Sequence, residues 1–487
     1  MKSVPFNRCN FKLGSHGVDQ QQIGVQKLYK YYTMEGQVTR TGYKTTITGC
    51  EDMKVLISGG GIAGLTLALK LLQQQVDVVL LEKNTAPSAK YKGELLQPKS
   101  LAILKDLGVI DHILEAGQRI DRTVMKELGL PKLGLQQAEL HYGVLKHEFP
   151  YALMIPHERL KQILLEACLK LSPTFYQAGV KLISLGPLNH PIKTEAIIER
   201  NGQLESIKSD FFVGAEGKIS PVRKSLRIRL RKKAYNHQFL TVSFSKPPTL
   251  TDATILTKQR YFLGLFPLPN NRVRSVYLIK PDEYKEIIRE GLDSFYKRYI
   301  DLMPDMEGYV NQINSFKDIQ LMIPEGLYAD RYVKGNAVII GDAAHSVHPM
   351  AGEGMNLAIQ DADILGDLLC WMNEQGLSDT RYLRRYEQVR KARVQLISSL
   401  SNQSAQVYSF HHALWRRFRI KVLQTIQRND RLHFKQILNI SGLGAWKETW
   451  IDRLSEVGFI PPRNLPNEFD QEQYFYDKKQ DYPWRKS

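Results

Sequence analysis

The clearest alternation of apolar and polar positions lies between Met53 and Lys83. Lys54–Ser58 (KVLIS) is a short apolar run of the kind that predicts a buried parallel strand. Leu65, Leu67, Ala68, Leu71 and Leu72 then recur on one side of a helix, and residues 76–81 (VDVVLL) predict a second buried strand that ends in Glu82. Between the first strand and the helix stands Gly59-Gly60-Gly61-Ile62-Ala63-Gly64, which has the spacing G-x-G-x-x-G. In that spacing Gly59 permits a tight turn, Gly61 lets the backbone approach a pyrophosphate, and Gly64 lets the helix pack on the strand. The free N–H groups of the helix start therefore point at an anion. Glu82 follows Gly59 by 23 residues, where a carboxylate accepts hydrogen bonds from a ribose. Strand, turn, helix, strand and acid in register predict a dinucleotide site contacted by Gly59, Gly61, Ile62, Ala63, Gly64, Glu82 and Lys83. The motif by itself does not separate FAD from NAD.

Further along, Leu101, Leu104 and Leu107 predict a helix after the stretch Gly93-Glu94-Leu95-Leu96-Gln97-Pro98. Residues 120–152 show only short, irregular strand patterns, and Pro156 and His157 open a helix with Leu160, Ile163, Leu164 and Ala167 on one face. Phe211–Gly214 is an apolar strand that runs into Ala215-Glu216-Gly217. Residues 226–322 read as mostly β: Tyr261–Leu268 and Arg272–Ile279 flank Pro269-Asn270-Asn271, a hairpin signal. Another buried strand, residues 337–340 (AVII), leads into Gly341-Asp342-Ala343-Ala344-His345 and Pro349. Gly352-Glu353-Gly354-Met355-Asn356 then opens a helix through Leu357, Ile359, Ala362 and Leu365. The remainder is helical, and Phe410, Leu414, Phe418, Val422 and Ile426 recur every four residues there.

These patterns predict an α/β protein. A dinucleotide-binding part covers 53–225 with short strands inserted at about 120–152, a β-rich substrate domain covers 226–325, and the binding part resumes over 326–375. A basic helical region covers 376–487, and a polar extension, 1–52, is expected to stand outside the fold.

Composition adds three constraints. No run approaches the ~18 consecutive apolar residues of a spanning helix, and the four cysteines show no metal-binding or disulfide spacing, so no metal site is expected. The net charge of +17 is concentrated in two stretches: seven basic residues and no acid over 223–233, thirteen basic and two acidic over 381–435. Solvated faces, an anionic membrane surface and an anionic cofactor such as NADPH are the competing readings. Nucleic acid is disfavoured, because no zinc-finger or RNA-binding signature accompanies the charge.

Three separated stretches together resemble the class A FAD-dependent monooxygenases, whose members include para-hydroxybenzoate hydroxylase, ubiquinone-pathway hydroxylases and squalene epoxidase. The resemblance spans roughly 53–375 and rests on Gly59, Gly61 and Gly64, and on Gly341, Asp342, His345, Pro349, Gly352, Gly354 and Asn356. It implies a Rossmann-like FAD-binding domain, an inserted mostly β substrate domain and C-terminal helices. It also implies cofactor contacts from Gly341, Asp342, Gly354, Met355 and Asn356, with Asp342 suited to ribityl hydroxyls and the helix start at Gly354 to the flavin pyrimidine edge. His157 stands where relatives carry Arg or Gln near the cofactor, with Arg159 two residues on. No side chain is assigned as catalytic; Pro349 and His345 are placed near the flavin, His345 more as a structural histidine than as an acid or base. The family's D-G motif reads Glu216-Gly217 here, one methylene longer.

The implied activity is hydroxylation or epoxidation of a hydrophobic small molecule by O2, with NAD(P)H as reductant and a flavin C4a-hydroperoxide as oxygenating species. The expected setting is cytoplasmic, with peripheral contact to an anionic membrane through the C-terminal region. Two alternatives are a flavin-dependent reductase or dehydrogenase of isoprenoid lipids and a flavin-binding scaffold without turnover. Substrate, regiochemistry and oligomeric state stay open.

Overall fold

The protein is described by a computed structural model over residues 53–86, 93–130, 134–186, 194–409, 412–447, 449–466 and 468–485. The expectation for residues 1–52, and Phe410 of the C-terminal stripe, lie outside the described residues.

Lys54–Ser58 is the centre of a six-stranded sheet in which Asp77–Glu82 and Tyr176–Ala178 lie to one side. Phe211–Gly214, Ala337–Ile339 and Val333–Lys334 lie to the other. All pairings are parallel except the last, Val333–Lys334 against Ala337–Ile339. Parallel strands are buried on both faces, which is why their sequences are continuously apolar. The helices Ile62–Gln73 and Gly354–Glu374 pack against each other beside this sheet, and Leu65, Leu67, Leu365 and Leu368 are buried in one core with Val55, Ile57 and Ile339.

The second large element is a seven-stranded sheet, ordered Gln320–Met322, Gln238–Ser245, Arg272–Ile279, Tyr261–Leu268, Ala253–Lys258, Arg122–Leu130, Gly134–His141. The predicted hairpin forms as read, with Asn270 and Asn271 at φ of 60° and 52°. Two left-handed residues give the turn whose twist matches paired strands. Arg122–Leu130 and Gly134–His141, in a region where the sequence shows only short, irregular patterns, are instead nine- and eight-residue strands of this sheet. Their alternation is masked because an inward position carries a charge. Glu127 is buried and receives Arg416 Nε at 2.7 Å, a further ion pair from Arg419, and Thr257 Oγ1 at 2.9 Å.

The C-terminal helices Ala413–Arg428 and Asp430–Ser441 pack on this sheet, burying Ile420, Ile426, Ile437 and Leu438 with Met125, Ala138 and Leu140. No helix of the described residues is long and apolar enough to cross a membrane.

Candidate active site

The glycine turn behaves as its spacing requires, and each glycine for its own reason. Gly59 has φ +109°, and a side-chain carbon there would lie 2.4 Å from the Ala215 carbonyl oxygen. At Gly64 such a carbon would lie 2.0 Å from the Gly59 carbonyl oxygen, so helix and turn are in direct backbone contact. At Gly61 it would meet nothing within 4 Å. Gly61 caps the helix Ile62–Gln73 without a side-chain hydrogen bond and with no acid in the first turn, leaving N–H groups directed at open space.

That space is one end of a cavity of about 1250 Å³. Gly59, Gly61, Ile62, Ala63, Glu82 and Lys83 stand in its wall. Glu82 is held by three N–H donors: Gly60 N to Oε2, and Asn84 N and Nδ2 to Oε1, each at 2.8 Å. A carboxylate has about four acceptor positions, so capacity for one hydroxyl remains. His157, Glu216, Asp342, Pro349, Gly354 and Met355 also line the cavity.

Five residues expected at the site do not line the cavity. Gly64 and Gly341 shape the backbone; a carbon on Gly341, at φ +58°, would press on Ala63 and Ala358 at 3.3 Å. Asn356 is fully committed to bracing: its Nδ2 donates to the Leu95 and Gly352 carbonyls at 3.0 and 3.1 Å, and its Oδ1 accepts Gln97 N at 2.8 Å. His345 is buried against Asp361, Nε2 to Oδ2 at 2.7 Å, and Arg390 Nε approaches the other oxygen of Asp361 at 2.6 Å. Burial alone would raise the Asp361 carboxyl, but His345 and Arg390 bring it down to about 2. Asp361 also accepts Gly341 N at 2.8 Å, so this trio fixes the turn that presents Asp342. Arg159 is directed outward to Gln162 Oε1, 3.1 Å away.

Residues that no motif signalled complete this end. Lys161, one helical turn past His157, lines the cavity with Glu158. Tyr142 also lines it, and its hydroxyl donates to Gln97 Oε1 at 2.9 Å. The Glu216 carboxyl turns back to accept Ser220 Oγ at 2.6 Å and Val222 N at 3.3 Å, and burial raises it above the ordinary carboxylate range. Its additional methylene thus serves its own loop.

The 21-residue helix Gly354–Glu374 also begins without a side-chain cap, and a carbon on Gly354 would meet nothing within 4 Å. Burial pushes the adjacent Glu353 carboxyl well above its ordinary range, which favours the uncharged acid and leaves the positive end of the helix dipole undiminished. Just before it, His348 Nδ1 accepts Met350 N at 3.2 Å, so its Nε2 carries the proton and donates to His237 Nε2 at 2.8 Å. Both histidines are buried and neutral; burial lowers His348 to about 3.

A dinucleotide fits these residues on two independent grounds. An uncapped helix start opens on a cradle that a side chain at Gly61 would fill, and a second uncapped helix start at Gly354 closes the same cavity. Beyond Met355 the wall changes character. Met125 and Leu140 of the sheet, Phe239, Phe262, Phe266 and Val276 of neighbouring strands, and Trp415, Phe418, Val422, Ile426 and Ile437 of the C-terminal helices make it apolar and aromatic.

Comparison with known proteins agrees with this geometry. The family described as "FAD binding domain" matches residues 52–401. A 6-methylpretetramide 4-monooxygenase of Streptomyces rimosus is 28% identical over 365 residues, 71% of this chain and 83% of that one. A ubiquinone hydroxylase of Rhodospirillum rubrum is 24% identical, covering 82% of this chain and 92% of its own. Among solved structures, p-nitrophenol 4-monooxygenase of Pseudomonas putida shares the fold with a TM-score of 0.70 at 18% identity, over 80% of this chain and 98% of that chain. With its glycine cradle, paired helix starts and family match in agreement, the chain belongs to the FAD-binding class A flavoprotein monooxygenases and is an FAD-dependent monooxygenase.

Proposed function

We propose that this monooxygenase oxygenates a hydrophobic, ring-bearing small molecule held in the apolar half of the cavity, with NAD(P)H as reductant and O2 as co-substrate. The observation that carries the proposal is the continuity of one cavity from the glycine cradle to a wall of Phe239, Phe262, Phe266, Trp415 and Phe418. Such a wall binds flat apolar surface and provides few groups to hold water. Relatives named for 6-methylpretetramide and pentachlorophenol support a substrate of that kind.

When bound, FAD supplies the redox chemistry of oxygen insertion. The chain's own residues bind and orient. The Ile62–Gln73 helix start would hold the pyrophosphate, Glu82 a ribose, and Asp342 the sugar-alcohol chain. The uncapped start of Gly354–Glu374 directs partial positive charge to where negative charge develops on reduction. The aromatic wall presents the substrate ring and excludes water. A panel of ring-bearing compounds, read by NAD(P)H oxidation together with O2 uptake, tests the proposal. Oxidation that no compound in the panel stimulates would refute it.

A specific observation also favours peripheral membrane contact. The four-residue stripe divides: Phe418, Val422 and Ile426 face the cavity, while Leu414 is 79% exposed. Trp450 and Phe459, on or beside a helix packed against the same element, are 71% and 79% exposed. Arg417, Lys421 and Arg453 belong to these helices. Exposed aromatic and apolar tips among cations suit an anionic bilayer surface. Co-sedimentation with anionic but not neutral liposomes, weakened by salt, is the expected result. Equal recovery in the supernatant throughout would exclude it.

A further inference from the structure

A second cavity, of about 310 Å³, is lined by Lys233, His237, Arg260, Leu278, Lys280 and Glu283 among others. Its position relative to the large cavity follows from strand geometry. His237 lines the small cavity and Phe239 the large one; likewise Leu278 lines the small one and Val276 the large one. Residues two apart on a strand share a face, and Phe239 pairs with Leu278 across the two strands. On this face the linings of the two cavities therefore adjoin, Val276 and Leu278 standing about 7 Å apart along their strand. Phe239, Phe262 and Leu278 form one small buried cluster, and Tyr408 packs on it, its ring 5.2 Å from that of Phe262. Phe239, which lines the large cavity, and Leu278, which lines the small one, are thus packed together in that one layer.

The charges on both sides of that layer have the same sign. In the small cavity Lys233 and Arg260 lie over the Tyr235 and Tyr261 rings, and Lys280 is exposed. The one carboxylate in the lining, Glu283, is already engaged by Arg298 at 2.8 Å and by the Lys280 N–H at 2.9 Å. On the inner side Arg416 and Arg419 share the single carboxylate Glu127, and all three are buried. Arg419 lies in the large cavity's wall and over the Tyr408 ring at 5.1 Å. A buried wall with two guanidinium groups and one carboxylate favours an anion nearby.

We propose that the small cavity is a vestibule that captures organic acids carrying a flat apolar ring and passes them through the Phe239–Leu278 partition into the apolar compartment. The proposal rests on the reading of that compartment as the substrate site. It adds a second mouth, a gate and a charge preference to it.

The test uses the full chain loaded with FAD and follows ligand association by stopped-flow change in flavin absorbance, without turnover. The probes are 2-naphthoate, an anion at neutral pH, and 2-naphthalenemethanol, a neutral molecule of similar shape. Naphthoate should associate faster at low salt, and the advantage should vanish as salt rises. Arg260→Glu combined with Lys280→Glu should slow naphthoate about tenfold and leave naphthalenemethanol unchanged. Leu278→Trp, with flavin content as the check on folding, should slow both, and Leu278→Ala should speed both. Association rates that charge reversal does not separate, or that neither Leu278 variant alters, would overturn the vestibule while leaving the compartment intact. Failure of both probes to perturb the flavin would overturn the two readings together.

Discussion

The two halves of the large cavity are built on opposite principles. At the glycine end, backbone does the work: two helix starts without side-chain caps, at Gly61 and Gly354, and turns in which a missing side chain is the essential feature. At the apolar end, side chains from distant parts of the chain, around 125–142, 239–276, 320–324 and 400–440, supply the surface. Backbone sites tolerate almost no substitution, because each contact is fixed by covalent geometry. Side-chain walls can be reshaped one residue at a time without unfolding the scaffold, which is how one fold serves many substrates.

The sharpest way to break this contrast lies within the glycine turn itself. Gly64→Ala should cost about 3 kcal/mol or more, since its new carbon would meet the Gly59 carbonyl oxygen at 2.0 Å. Gly61→Val should leave the thermal midpoint nearly unchanged, because Gly61 has φ −81° and open space around it, and yet abolish flavin binding. Flavin stoichiometry and thermal midpoints of the two variants check this; full flavin content in Gly61→Val would refute the cradle.

Asp361→Asn should cost about 3–5 kcal/mol by leaving buried Arg390 without its counter-charge. The wild-type carboxyl is held at about 2, below its unfolded value of about 3.9. Its contribution is therefore complete above about pH 4 and disappears as pH falls toward 2. Denaturant midpoints of wild type and variant should converge over that interval.

At the other end, Phe418→Ala should weaken binding of a ring-bearing ligand about tenfold, equivalent to about 1.4 kcal/mol, without changing flavin content. Loss of flavin from this variant would mean that the two halves are not separable. A further effect concerns the His237–His348 pair. Burial lowers His348 to about 3 from an unfolded value of about 6.5, so the unfolded chain binds the extra proton between these limits. Stability should fall by about 1.4 kcal/mol per pH unit as pH drops below 6.5, and His348→Gln should flatten that slope. Urea denaturation at pH 7.5 and pH 5 measures it.

The same contrast explains what could be read in the sequence. The glycine end was legible because its requirements are local: strand, turn, helix, strand and Glu82 fall within about thirty residues, and the glycine spacing follows from close contacts between neighbouring backbone segments. Arg159 stands outside the cavity wall for a reason the helix period already contains. Two residues along a helix turn the side chain through about 200°, so His157 and Arg159 cannot face one cavity, whereas Lys161, four residues on, can. Asn356 belongs to a recognisable motif, but two of its three hydrogen bonds join segments some 260 residues apart, and no spacing reports that. Glu127 concealed a strand because its partners Arg416 and Arg419 lie nearly 300 residues away. The C-terminal stripe was visible as a pattern, though its destination, a wall shared with Phe239 and Phe262, was not. Amphipathicity shows that a face is buried and is silent about what covers it.

Joint action of the glycine cradle and the aromatic compartment, inserting oxygen into a ring-bearing substrate, is the core of the proposed function. It is tested most directly by turnover of the FAD-loaded full chain under isotopically heavy O2 with NAD(P)H and the best compound of the substrate panel, followed by mass spectrometry of the product. One heavy oxygen atom is expected in the product for each NAD(P)H oxidised in coupled turnover. A product that is reduced or dehydrogenated and carries no label would contradict it.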